Sequence, residues 1–162
     1  MTTDAYGKIN CYSRDGMLLH GSPNKFEILQ GKPLCATNVS FLAILYAVKP
    51  HLKDLEYCKW SPFGEIRATE RFIKNMGPGY VYAVNRNQFR VGKVGEAEYI
   101  TYESVTPAAC IEVTPEDLPR QVVRCSASEE KSLKKIFGCQ LMKNGFRNRT
   151  SMGRSLPSRN DR

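Results

Sequence analysis

Met17-Leu18-Leu19-His20-Gly21-Ser22-Pro23 is the stretch around which the other segments fall into order. Three apolar residues run into a histidine, and the chain must then bend. Met17 to Leu19 suit a short buried strand. Gly21, without a Cβ, lets another backbone or a ligand approach closely. Ser22 adds a small hydroxyl, and Pro23, with no N–H to give to a ladder, stops the strand. A histidine at the exit of a buried strand, followed by Gly-Ser, makes the floor of a small polar pocket. The plainer reading of the same residues is a strand end with a hydrogen-bonded histidine, since single short motifs often match by accident.

Upstream, residues 1–16 read as a loop-rich lead-in closed by the turn Asp15-Gly16. Downstream, 24–31 is a short connection in which Phe26, Ile28 and Leu29 can pack. Leu34-Cys35-Ala36-Thr37 is a second short strand, and Asn38 can cap a helix from Val39 to about Lys49. That helix is apolar nearly all round, which marks a buried element, and Pro50 ends it. Ile66 to Met76 can hold one short helix before Gly77-Pro78-Gly79 breaks the chain. Tyr80 to Val84 is rich in β-formers; after a turn at Asn85 to Asn87, Phe89 to Val94 can return. Glu96 to Tyr102 and Cys110 to Val113 supply further strands. Thr114-Pro115-Glu116-Asp117 carries a helix start: a capping hydroxyl, proline at the first position and acids in the first turn. Ser128-Glu129-Glu130 opens a helix to about Phe137, with Gly138 as its stop. A strand-rich body with one buried helix placed early is an α+β pattern. The expected organisation is a domain over 1–123, a basic helix over 124–142 and a basic tail over 143–162 that is disordered when free.

Charge is divided unevenly. The net charge is +8 over 162 residues; from Arg124 onward ten Lys/Arg stand against three Asp/Glu, while the first 123 residues hold fourteen against thirteen. The basic balance belongs to the C-terminal quarter. Such a segment suits phosphate backbones or acidic surfaces, so 131–162 is where nucleic acid or an acidic protein is expected to meet the chain. No run approaches the ~20 apolar residues of a membrane helix, and 1–16 contain no apolar run of a secretory signal; a cytoplasmic site without a membrane partner is expected. Six cysteines, at 11, 35, 58, 110, 125 and 139, form no Cys-x-x-Cys pair, and there are two histidines. A metal site is not expected from that spacing, and the thiols are read as free.

Four pieces can meet around one cleft: His20-Gly21-Ser22, Leu34 to Thr37, Tyr46 and Glu98. A carboxylate beside a histidine and an aromatic ring can bind a sugar hydroxyl, stack a planar cation and stabilise a positive transition state. Cleavage of a glycosidic bond through an oxocarbenium-like state needs such a carboxylate. Glu96 and Glu98 share one face of a strand, because side chains alternate with period two; a solvated edge strand gives the same pattern. Cys35 near His20 is a third arrangement, a thiol activated by a neighbouring base.

The ordered set Leu-His20-Gly21-Ser22, Leu34-Cys35-Ala36-Thr37, Ala43-x-x-Tyr46-Ala47 and Glu98-Tyr99-Ile100-x-Tyr102 resembles the ADP-ribosyltransferase superfamily, and within it the branch of diphtheria toxin and the poly(ADP-ribose) polymerases. The resemblance covers residues 17 to 113 in separate pieces. In length the chain is closer to small bacterial and phage proteins with a His-Gly-Ser-Pro start. The resemblance implies a small split β-sheet domain with few helices that takes NAD as its substrate. It implies that His20 bonds the adenosine ribose, Gly21 offers its backbone to the nicotinamide amide, Ser22 completes that motif, and Tyr46 stacks on the nicotinamide ring. Glu98 is implied as the catalytic carboxylate, holding the nicotinamide-side ribose and stabilising the oxocarbenium. Two residues depart from the branch: Leu34 stands where its second strand begins with tyrosine, and Glu96 makes a Glu-x-Glu like that of arginine-modifying transferases, where it orients the acceptor. The expected function is mono-ADP-ribosyl transfer to a protein or nucleic-acid acceptor; the alternative is a non-catalytic binding module on the same fold that works through its basic tail.

Overall fold

In a computed structural model the chain is described over residues 4–50, 58–60, 64–92, 98–143, 148–149 and 155–156. In chain order the elements are α1 (Ala5–Arg14), β1 (Leu18–Ser22), β2 (Leu34–Thr37), α2 (Ser40–Val48), β3 (Cys58–Lys59), β4 (Ile66–Ala68), α3 (Glu70–Lys74), β5 (Gly79–Val84), β6 (Arg90–Val91), β7 (Glu98–Thr101), β8 (Ala109–Val113), β9 (Val122–Arg124), α4 (Ala127–Lys143), β10 (Asn148–Arg149) and β11 (Ser155–Leu156). They form an α+β chain in two compact units: Met1–Lys49 with Gly77–Pro119, and Pro50–Met76 with Arg120–Arg162. No helix among the described residues is long and apolar enough to cross a membrane.

The lead-in before β1 is a helix, not a loop. Asp4 caps α1 by accepting the Tyr6 N–H at 3.3 Å, and Ile9 is its buried residue. Its end is a Schellman turn: Gly16 N–H bonds the Ser13 carbonyl, Met17 N–H bonds the Tyr12 carbonyl, and Gly16 adopts φ +85°. The expected Asn38 cap on α2 is also corrected. Val39 holds the N-cap position, and its N–H goes to the Thr37 hydroxyl at 3.1 Å. Asn38 instead offers its carbonyl to the Ser13 hydroxyl at 2.9 Å.

The first unit is built on a six-stranded sheet of order β6-β7-β2-β1-β5-β8, with every neighbouring pair antiparallel. Of the strand expected over Phe89 to Val94, Arg90 and Val91 do not return beside β5 but pair with β7, and 93–94 lie outside the described residues. The ladders are unequal. Five residue pairs join β1 to β5 and four join β2 to β7, but a single pair, Leu19 opposite Thr37, joins β1 to β2. The sheet is therefore two three-stranded halves that meet along a seam one rung long.

Period-two alternation gives this sheet two faces. On the helix face α2 lies directly over Gly21 and Gly79. A Cβ on Gly21 would stand 2.0 Å from the Ala43 carbonyl oxygen, and one on Gly79 2.1 Å from that of Ala47. The opposite face is covered by two of the loops that connect the halves, those holding Leu29 and Val105. There Leu18, Leu34, Ala36, Tyr82, Val84 and Tyr99 close a buried cluster with Leu29 and Val105. Leu29 and Val105 also exchange backbone hydrogen bonds of 2.8 and 2.9 Å, tying the loops together. Each fully buried aliphatic side chain stabilises by about 1.5–3 kcal/mol. Of the three apolar residues in 24–31, only Leu29 turns inward; Phe26 and Ile28 stay exposed.

The second unit holds the sheet β3-β4-β9, in which β4 and β9 run parallel. Residues 66–76 are thus not one helix but a strand followed by α3, whose start is capped by the Thr69 hydroxyl accepting the Phe72 N–H. Cys58, Ile66, Ala68, Phe72, Cys125 and Leu133 are buried. Arg67 ties this sheet to α4 through two bonds to the Glu129 carboxylate, at 2.7 and 2.5 Å. Helix α4 continues past Gly138 to Lys143, since one glycine costs a helix only about 1 kcal/mol. The disorder expected over 143–162 falls mostly outside the described residues; within that range β10 pairs antiparallel with β11.

Candidate functional site

His20 stands on β1 at the seam, one residue beyond the single rung. Its Nδ1 lies 2.6 Å from the carbonyl oxygen of Cys35 on β2. A carbonyl only accepts, so Nδ1 carries the proton and donates. In the neutral ring Nε2 is then an acceptor. The imidazole thus satisfies a β2 carbonyl where a continued ladder would have brought a β1 N–H. Opposite His20 on β5 is Tyr82, with ring centroids 6.2 Å apart. Burial pushes the Tyr82 phenol up from its ordinary pKa, so it keeps its proton. Its hydroxyl accepts from Phe26 N–H at 2.6 Å and donates to the Asn24 carbonyl at 2.9 Å. Ser22 accepts the Asn24 N–H at 3.2 Å. Both hydroxyls pin the segment after the strand over the loop face.

Gly21 faces the other way. Its missing Cβ admits the α2 backbone, with Ala43 O and Ala47 N the nearest atoms. Of the two partners that the sequence leaves open for this glycine, a backbone occupies the space. Half-buried Tyr46 is carried on the same helix, one residue before Ala47. Glu98 begins β7, directly opposite Thr37, and Thr37 is itself opposite Leu19. Residues opposite one another in a ladder share a face, so Glu98, Thr37, Leu19 and Gly21 belong to the helix face. His20, Ser22 and Tyr82 belong to the loop face. β7 is two strand spacings from β1, about 10 Å.

The structure therefore places the predicted residues on two faces of the sheet rather than on one wall. His20 and Ser22 stand on the loop face, and Gly21, Glu98 and the helix bearing Tyr46 on the helix face. Glu96 lies outside the described residues. The Cys35 thiol points to the helix face by parity, with its Sγ 3.9 Å from the Pro33 carbonyl. His20 Nδ1 engages the Cys35 carbonyl rather than this thiol, so the hydrogen bond between the two residues is not that of a nucleophile with its base. Among the described residues no group of three or more His, Cys, Asp or Glu side chains could hold a metal ion. Two contributors carry no motif: Tyr82 is one of two tyrosines on a strand face, and Gly92, whose Cβ position lies beside Glu98, is a lone glycine within 89–94.

Compared with family models, curated proteins and solved structures, the chain finds no match.

Proposed function

We propose that this protein is a small mono-ADP-ribosyltransferase that transfers ADP-ribose from NAD to a protein or nucleic-acid acceptor and releases nicotinamide. The observation that carries the reading is the seam. One rung joins the half-sheets, with His20 beside it on β1 and Glu98 one strand further on, on β7 opposite Thr37. The ordered motifs around His20, Leu34 to Thr37, Tyr46 and Glu98 are the second support, since the resemblance they carry implies a split sheet.

In this reading His20 Nε2 accepts a hydrogen bond from a hydroxyl of the adenosine ribose, while its Nδ1–H keeps the ring oriented. Gly21 contributes backbone groups in the plane of the sheet. Tyr46 stacks on the nicotinamide. Glu98 accepts a ribose hydroxyl on the nicotinamide side and stabilises the positive charge as the glycosidic C–N bond breaks. Nicotinamide leaves with the bonding pair, and the acceptor nucleophile then attacks the sugar carbon.

The test is NAD calorimetry on the wild type, His20→Ala and Glu98→Gln, followed by a nicotinamide-release assay. Binding is expected in the wild type, lost in His20→Ala and largely kept in Glu98→Gln, with release in Glu98→Gln reduced about 10²–10³-fold. A wild type that binds no NAD at millimolar concentration refutes the proposal. The charge concentrated from Arg124 onward favours a second reading, a binding module for nucleic acid. Its affinity would fall steeply with salt and vanish on deletion of 139–162, with no NAD binding by the intact chain.

A further inference from the structure

We propose that Gly92 is a positioning residue for the Glu98 carboxylate, its missing side chain being the space the carboxylate occupies. Gly92 follows the edge strand β6 and donates its N–H to the Glu98 carbonyl at 2.8 Å. It continues the register in which Val91 lies opposite Tyr99, so it faces Glu98 on the same side of the sheet. A Cβ at 92 would stand 2.6 Å from Glu98 Oε1, 3.1 Å from its Cγ and 3.3 Å from its Cδ. Real Cβ atoms essentially never approach another atom within 3.0 Å.

The backbone does not ask for glycine here. Among the described residues Gly16 is the glycine with positive φ, so Gly92 holds a conformation open to any L-residue. What the site does ask for is room. Gly21 and Gly79 make way for the main chain of α2 and Gly31 for that of Leu34, whereas Gly92 makes way for the end of a flexible side chain. A methyl group there would be relieved by rotation of the Glu98 side chain, without moving a strand. Gly92 and Thr37 flank Glu98 from the two neighbouring strands, and the empty place at 92 sets the side to which the carboxylate leans. This inference rests on the reading of Glu98 as the group that stabilises the oxocarbenium, and it adds the residue that aims it.

The experiment uses the full chain with Gly92→Ala and Gly92→Ser, labelled with ¹³C at glutamate Cδ. The Glu98 resonance, assigned by its loss in Glu98→Gln, is expected to move in both variants, while that of Glu129 and the melting temperature stay in place. Nicotinamide release from NAD is expected to lose about tenfold to a hundredfold in kcat, as misplacement of a reacting group by about 1 Å does, with KM unchanged. An unmoved Glu98 resonance overturns the positioning role whatever the activity. A large drop in melting temperature also overturns it, because the backbone would then have yielded. A moved resonance in a protein whose wild type releases no nicotinamide supports the positioning and refutes the transferase reading. A moved resonance with unchanged kcat in an active enzyme overturns the catalytic weight given to the carboxylate's place.

Discussion

Replacing Gly21 by alanine sets the packing of α2 against the ligand reading of the same residue. The new Cβ would meet the Ala43 carbonyl oxygen at 2.0 Å and the Ala47 nitrogen at 2.8 Å. Ordinary contact begins at 3.4 Å, so relief takes a retreat of about 1.4 Å, the difference between 3.4 and 2.0 Å. The atoms met belong to a helix main chain, which cannot rotate away as a side chain does. Lifting α2 thins its contacts with β1 and β5, and a gap of 0.5–1 Å forfeits about a quarter to a half of the dispersion at each contact. Overpacking costs about 1–3 kcal/mol, and a rigid obstacle puts this site near the top, about 3 kcal/mol. At about 2–4 °C per kcal/mol for a chain of this size, the melting temperature should fall by about 6–12 °C. Urea unfolding followed by circular dichroism reads the same loss as a lower midpoint at constant slope. Gly77→Ala is the internal control: nothing lies within 4 Å of its Cβ position and its φ is ordinary. It should be neutral or stabilising by up to about 1 kcal/mol. If Gly21→Ala unfolds within about 0.5 kcal/mol of wild type, the account of helix packing is wrong. If it falls as expected, loss of NAD binding in that variant reports a displaced helix and cannot be read as a lost ligand contact.

Two further outcomes follow from hydrogen bonds and charge. Tyr82→Phe removes the acceptor for Phe26 N–H and the donor for the Asn24 carbonyl; both residues are exposed and can hydrate, so the cost should be about 1 kcal/mol. Amide exchange at Phe26 should quicken at least about tenfold while Leu29, bonded to Val105, keeps its protection; equal exchange at Phe26 in both proteins would show that the tyrosine does not hold the loop. In the second unit, the hydrogen bonds from Arg67 lead the causes that lower the Glu129 carboxyl from 4.5 to about 2. A group depressed in the folded state adds stability above its unfolded pKa and loses it as pH falls through the folded one, so this pair should weaken between about pH 4.5 and pH 2. Glu129→Gln should flatten that part of the unfolding profile, less so in high salt, and identical profiles from pH 5 to pH 2 would count against the ion pair.

The strands of the first unit were legible because β-formers sit between strong punctuation: Pro23 after β1, Gly77-Pro78 before β5, Pro107 before β8. Helix α1 was not, because it buries one residue, Ile9, and a single buried position leaves no period to read. The strands β4 and β9 are three residues each, and their parallel pairing joins residues 56 positions apart, Ile66 with Val122. That information lies in tertiary contacts rather than in either segment. Sheet order failed at β6, since a turn at Asn85 to Asn87 says nothing about which neighbour the next strand finds. The candidate site shows the same division. Residue types named His20, Tyr46 and Glu98, but the faces on which His20 and Glu98 stand depend on register across β1, β2 and β7. A slip of one residue would reverse them.

The one-rung junction also makes the first unit mechanically uneven. Two stiff leaves, β6-β7-β2 and β1-β5-β8, share a spine of a single residue pair. On one side α2, seated on β1, β5 and β2, binds them like a cover. On the other the Leu29–Val105 pair is the clasp. Thermal bending must collect along that spine, because longer ladders on either side resist it together while one rung yields alone. On the clasp side His20 adds a second tie across the spine, its imidazole donating to the Cys35 carbonyl.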